Sequence, residues 1–261
     1  MSYAVRHLER SPEGDQQGGA AVLLHGVGGD AESWKYQLDF LGQRYRTAAW
    51  DMPGYGGSAL SGGMSFAGLA DALIGLLDHL GLAKVHLVGH SLGGMVAQEA
   101  AAAHPGRFIS LILSATSPAF GRPDGDFQKQ FVASRMKPLD DGRSMTSLAE
   151  IMVPEMIGRD PNADGVALAL KSMAAVSTET YRAAMQCLVT FDRRGNLPNI
   201  AMPTLLIAGE NDTNAPAPMM EKMASKIPGA QYVCIPGAGH LANLERPDEF
   251  NRIVGDFIGG V

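Results

Sequence analysis

The sequence predicts an α/β domain in which a mostly parallel central sheet is flanked by helices and interrupted by a helical insertion. Three observations carry this. Short apolar, strand-like runs alternate with helical patterns over most of the chain. The alternation stops between 119 and 199, where only amphipathic, methionine-bearing segments stand. Several strand-like runs lead straight into glycine-rich turns, the place where open parallel sheets bind ligands. The length of 261 residues suits one large domain with an insertion, and a hydrophobic share of 46 % excludes disorder.

The elements follow in order. An edge strand is expected around His7, and no other strand before Ala20. Ala20–Leu24 reads as a short buried strand that ends in the loop HGVGGD. The next strand is 47–51, closed by the turn PGYGGS. Leu69, Leu73, Leu76, Leu77 and Leu80 give 66–80 one apolar helical face, which Gly81 stops. A strand at 85–88 is followed by a helix of strong formers at 95–103. That helix has to end at His104, because Pro105 disfavours the α region for the residue before it. Further strands are expected at 108–113, 204–208 and Gln231–Ile235, with helices at 219–227 and 248–258. Within the interruption, helices are expected at 127–136, 147–156, 166–176 and 180–189. The domain reading is therefore a core of 1–118 and 200–261, with a helical cap of 119–199 lying over the C-terminal ends of the strands.

Bulk properties narrow the function classes. The net charge is −6 and there is no basic block, so a nucleic-acid partner is not expected. No apolar run approaches the roughly 20 residues that span a bilayer. Residues 1–14 lack the apolar segment and cleavage site of a signal peptide. The two cysteines, Cys187 and Cys234, stand in no motif and read as reduced core residues of a cytoplasmic protein. A small-molecule substrate is expected, with no membrane partner, and a homo-oligomer stays open.

The stretch VHLVGHSLGGMVAQEAAAAHPGRF, residues 85–108, carries the chemistry. A strand that turns at once into a helix forces strained backbone angles on the residue at the bend. Side chains beside it would clash, so glycines flank it, and the serine hydroxyl is held up at a helix N-terminus. This G-x-S-x-G elbow makes Ser91 the candidate nucleophile. A serine needs a base, and the base needs a carboxylate, in the chain order Ser, Asp, His. His240, in the glycine-rich loop after Gln231–Ile235, is the histidine that satisfies this order. His7, His79 and His104 read as surface or capping residues, His86 and His90 as neighbours of the elbow, and His25 as part of HGVGG. After 204–208 the chain reads GENDTNAP; Asp212, deeper in the loop, is the chosen acid, and Glu210 the alternative. The oxyanion hole needs two backbone N–H groups, assigned to Leu92 and to Val27 in the HGVGG loop. No metal site or cofactor is implied.

HGVGGDAESW, DMPGYGGS, GHSLGGMVAQ, GENDTNAP and GAGHLANLERP together resemble the α/β-hydrolase superfamily, in its order and over nearly the whole chain. The capped form, and the segment leading into LLIAGENDT, resemble the 3-oxoadipate enol-lactonase-like esterases. The resemblance implies hydrolysis of an ester or lactone through an acyl-enzyme. In a departure from the family, one strand before Ala20 leaves the sheet expected to be one strand short. The resemblance also leaves open a C–C bond hydrolase of the vinylogous-diketone type and a haloperoxidase-like perhydrolase. A ligand receptor with an idle triad is the reading from a different class. The substrate pocket is placed at Met152 and Met156 of the cap and at Leu241 beside the base. Met136, Met145, Met173 and Met185 either line it too or simply pack the cap onto the core. The basic residues Arg135, Lys137 and Arg143 are expected on the solvated surface rather than at the substrate.

Overall fold

The structure is a computed structural model. It describes residues 5–12, 19–60, 62–121 and 125–261, so the leader reading of 1–14 falls in part outside the described residues. Seven strands form one sheet: β1 (His7–Arg10), β2 (Ala20–Leu24), β3 (Arg46–Trp50), β4 (Val85–His90), β5 (Phe108–Ser114), β6 (Thr204–Gly209) and β7 (Gln231–Ile235). Their order across the sheet is β1-β3-β2-β4-β5-β6-β7. Only β1 runs antiparallel; every other pairing is parallel. Among the described residues one strand precedes Ala20.

Alternation along the strands explains the layers. In β2, Val22 and Leu24 face one core, whereas Ala21 and Leu23 face the other. The first core takes up α2 (Phe66–His79), α3 (Leu92–Ala103) and α8 (Ala217–Ala224). The second takes up α1 (Lys35–Leu41) and α10 (Pro247–Gly259). Because both faces are covered, β2 and β4 are buried along their whole length, which is why they read as continuous apolar runs. The chain moves from β2 to β3 on one side, and then to β4 on the other side of β2. The order thus reverses at β2, and the crevice above the C-terminal ends of β2 and β4 is the natural ligand site.

Between β5 and β6 come α4 (Asp126–Asp140), α5 (Met145–Met156), α6 (Ala163–Ala175) and α7 (Thr178–Leu188). The chain leaving the sheet and the chain returning to it pair with each other. Ala119 and Asp192 form an antiparallel bridge, the Phe120 N–H donates to the Phe191 carbonyl (2.9 Å), and the Arg193 N–H to that of Pro118 (2.8 Å).

Several boundaries differ from the sequence reading for identifiable reasons. Strand β3 covers 46–50, and Asp51 just beyond it turns its carboxylate to the Arg6 guanidinium and the Ala31 N–H. Helix α3 begins at Leu92 rather than 95, so Gly93 and Gly94 are already helical. Three helices of the insertion start two or three residues early, each behind a side-chain cap. Ser144 accepts from Ser147, Asn162 from Gly165 and Ser177 from Thr180. Helix α4 continues past Met136 to Asp140 and carries Pro138 in its last turn. Helices α1 and α9 (Ala242–Glu245) have no counterpart in the sequence reading, being short and lacking a periodic stripe. Cys187 is buried, but Cys234 is only half-buried, because β7 is an edge strand. Among the described residues no helix is long and apolar enough to cross a membrane.

Candidate active site

Four strand ends supply the site: the loop after β2 carries His25 to Gly29, β4 delivers Ser91, β6 leads to Asp212 and β7 to His240. Ser91 has φ 53° and ψ −119°, a region that residues with a side chain rarely occupy. Its backbone is held there from both sides. The Ser91 N–H donates to the Ser114 carbonyl of β5 (2.9 Å), and the Ser91 carbonyl accepts the Thr116 hydroxyl (2.8 Å). The flanking glycines are required by close approach. A Cβ on Gly89 would lie 2.5 Å from the Gly93 carbonyl oxygen, and one on Gly93 would lie 2.2 Å from that of Leu24.

The hydroxyl of Ser91 lies 3.1 Å from His240 Nε2, and His240 Nδ1 lies 2.8 Å from Asp212 Oδ2. Asp212 Oδ1 accepts the backbone N–H groups of Asn214 (2.8 Å) and Ala215 (3.0 Å). Burial by itself pushes the Asp212 carboxyl up. The His240 charge, the His240 N–H and those two backbone donors outweigh it, so the pKa lies below the ordinary carboxylate value. Glu210 stands elsewhere: its half-exposed carboxylate accepts the Gly237 N–H (2.9 Å) and faces Arg159 (3.3 Å). The line from acid to hydroxyl therefore runs through Asp212 and not through the alternative.

Burial biases the other histidines near the elbow towards the neutral form. His25 donates from Nδ1 to the Gly26 carbonyl (2.8 Å) and accepts the Met52 N–H at Nε2 (3.0 Å), and burial lowers its pKa. His86 bonds Ser110 (2.8 Å) and is lowered by burial as well. His90, with its ring 5.0 Å from that of His240, is pushed down by burial to about 3. A pH dependence of stability follows. The unfolded chain protonates a histidine near 6.5, whereas folded His90 does so only at about 3. Between these values the unfolded state binds more protons, so stability falls as the pH drops through that window. His25 and His86 act in the same direction. The Tm is expected to decline steadily as the pH is lowered from about 6.5 to about 4, with a shallower slope in His90→Asn. A flat Tm over that range contradicts the assignment.

The cavity above the elbow has a volume of about 160 Å³. Ser91, His240, Val27, Met152, Met156 and Leu241 all line it, as do Met173 and Met185, whereas Met136 and Met145 are packed into the core. Leu92 buries its side chain completely, and what it can offer is its N–H, which as the first of α3 has no intrahelical partner. Among the described residues neither the Leu92 nor the Val27 N–H donates to a protein acceptor. One sequence expectation is corrected: Arg135 lines the cavity, with its guanidinium 5.3 Å from the centre of the Phe131 ring, because that ring holds the long side chain inward. Lys137 is exposed and pairs with Asp141, and Arg143 is exposed. The aromatic wall of Phe120 and Phe131 and the buried Tyr181 were not read from the sequence. Their place depends on how the insertion folds back, which no local pattern records.

Comparison with known proteins adds the family. The profile described as "Alpha/beta hydrolase family" matches residues 21–253. RutD of Stutzerimonas stutzeri, named as a carbamate hydrolase, is 32 % identical over 91 % of this chain and 90 % of its own length. The pimeloyl-[acyl-carrier protein] methyl ester esterase of Aeromonas hydrophila is 28 % identical over 99 % of this chain and all of its own. The solved structure of the enol-lactonase from Burkholderia xenovorans LB400 superposes with a TM-score of 0.86 at 25 % identity, covering 98 % of this chain and 96 % of that one. Against a longer relative, the acetyltransferase component of the acetoin cleaving system of Pseudomonas putida, the chain is 32 % identical and spans 63 % of that protein's length.

Proposed function

Since the chain belongs to the alpha/beta hydrolase family and is a hydrolase, we propose that it cleaves a small, largely apolar carboxylic ester or lactone through an acyl-enzyme on Ser91. The observation that carries this reading is the unbroken hydrogen-bonded line from Asp212 through His240 to Ser91. Asp212 holds the proton of His240 on Nδ1, which leaves Nε2 as the acceptor that faces the hydroxyl. Ser91 Oγ then adds to the substrate carbonyl as its proton passes to Nε2. The oxygen that becomes negative is received by the N–H groups of Val27 and Leu92, at the start of α3. On collapse the C–O bond to the leaving alcohol breaks, and His240 returns the proton to that oxygen. Water, deprotonated by the same nitrogen, next attacks the acyl-enzyme, releases the acid and restores Ser91.

The methionine wall supports an apolar acyl group, because unbranched thioether side chains adapt to varied shapes. We treat 119–199 as a cap that sets which acyl groups enter, and the relatives named for methyl ester and enol-lactone cleavage favour oxygen esters. Purified protein is expected to turn over p-nitrophenyl butyrate and a simple lactone. A fluorophosphonate is expected to add covalently, with the mass shift on the peptide that contains Ser91. If neither turnover nor the adduct is observed, the reading gives way to a ligand receptor built on a hydrolase fold.

A further inference from the structure

The side chain of Glu245 is buried, and its hydrogen-bond partners are backbone N–H groups drawn from two separate parts of the chain. Its carboxylate accepts from Gly239 (2.9 Å) and Leu241 (3.0 Å), the residues on either side of His240. It also accepts from Gly158 (2.6 Å), just beyond the end of α5. The same two segments meet again through the backbone. The His240 N–H donates to the Met156 carbonyl (2.6 Å), and the Arg159 N–H to that of Gly237 (2.8 Å). The apposition is tight enough to require glycine on both sides. A Cβ on Gly158 would lie 2.0 Å from the Gly237 carbonyl oxygen, and one on Gly239 would lie 2.3 Å from that of Met156.

A buried carboxylate is costly to keep unless its oxygens are filled with donors. A neutral side chain at 245 would not serve as well. An amide has one acceptor oxygen and carries donors on its nitrogen, so it cannot accept from Gly158, Gly239 and Leu241 together. We infer that Glu245 is a positioning residue for the proposed base: its carboxylate fastens the His240 loop to the 156–158 segment and thereby sets the place of the imidazole over Ser91. This rests on the assignment of His240 as base. The insertion then does more than cover the cavity, since its residues 156–158 form half of the seat in which the base is held.

The consequence is specific to proton transfer. A displaced imidazole fails most where the leaving oxygen has to be protonated as it departs. An alkoxide needs that proton, whereas p-nitrophenolate leaves without it. The test compares wild type with Glu245→Gln on the methyl and p-nitrophenyl esters of the same acid, with active enzyme counted by fluorophosphonate titration. The variant is expected to lose about 100-fold in kcat on the methyl ester, the scale of a misplaced catalytic group, and at least several-fold less on the p-nitrophenyl ester, with KM changed little on either. A merely structural Glu245 would lower the Tm and the titrated fraction but leave the ratio of the two kcat values at the wild-type value, and that result overturns the inference. If Glu245→Gln does not fold, Glu245→Asp, which keeps the charge and shortens the reach, carries the same comparison. Failure of both to fold assigns Glu245 to stability and also overturns the inference. Wild-type protein inactive on both esters would instead strike at the hydrolytic reading itself.

Discussion

Replacing Ser91 by alanine is expected to lower kcat for ester turnover by about a millionfold, the scale seen when a triad nucleophile is removed, while the protein stays folded. Both halves of this expectation come from the geometry. Among the described residues the hydroxyl has one hydrogen-bond partner, His240 Nε2 at 3.1 Å, so its loss strips the proposed reaction of its attacking atom. The backbone at 91 is fixed by bonds that alanine keeps, from its N–H to the Ser114 carbonyl and from the Thr116 hydroxyl to its carbonyl. Alanine also keeps the Cβ, so the strain of φ 53° is neither relieved nor increased. A Tm within a few degrees of wild type, together with kcat at background and no fluorophosphonate adduct, is the expected set of readings. Turnover above about 1 % of wild type in a contamination-controlled preparation would exclude Ser91 as nucleophile, because removal of a triad serine leaves far less than that.

Asp212→Asn is expected to cost roughly 10⁴-fold in kcat through a change of tautomer. In the native protein Oδ1 is engaged by the N–H groups of Asn214 and Ala215, and only Oδ2 faces His240. Those two donors would hold the amide oxygen of an asparagine on their own side. Its NH₂ would then point at His240 Nδ1, which could only accept, and the imidazole proton would move to Nε2. A base protonated on the nitrogen that faces Ser91 cannot take the serine proton. Glu210→Gln provides the comparison, since that carboxylate touches Gly237 and Arg159 rather than His240; it is expected to cost less than about tenfold, as for a surface substitution away from the chemistry. Equal losses in the two variants would remove Asp212 from the mechanism and leave the fold unaffected.

Ser91, Asp212 and His240, the proposed nucleophile, acid and base, could be picked from the sequence because each follows its own strand end, and the structure brings the three side chains within hydrogen-bond reach. The elbow needs glycine on both flanks for steric reasons, and the polar loop after β6 and the glycine-rich loop after β7 show where the chain must reach over the sheet. The starts of the helices in the insertion were legible too, although a reading based on apolar stripes places them late. Ser144, Asn162 and Ser177 are capping residues, and the caps rather than the stripes mark where α5, α6 and α7 begin. Arg135 and Glu245 could not be placed from the sequence. Each is an ordinary charged residue in its own segment, and its role depends on a neighbour far away in the chain: Glu245 meets Gly158 across 87 positions. Short helix α1 was missed because seven residues give an amphipathic pattern too few turns to repeat.

The bridge between Ala119 and Asp192 bears on how such a chain can diversify. β5 and β6 are held by their own parallel ladder, and the bridge ties the outgoing and returning segments to each other beyond it, so the base of the insertion is closed on itself. If 119–199 acts as the proposed cap, descendants of this protein could therefore exchange the intervening helices almost as a cassette and explore new substrates while Ser91, His240 and Asp212 keep their places. The freedom is bounded where the insertion bonds to the rest of the chain, as Ser172 does to Asp30 and Thr180 to the Gly54 carbonyl, and most closely at 156–158. A transplanted cassette has to present a carbonyl to the His240 N–H and an N–H to Glu245, as residues 156 and 158 do here. Chimeras that keep 156–158 native are the ones expected to inherit turnover along with a new specificity.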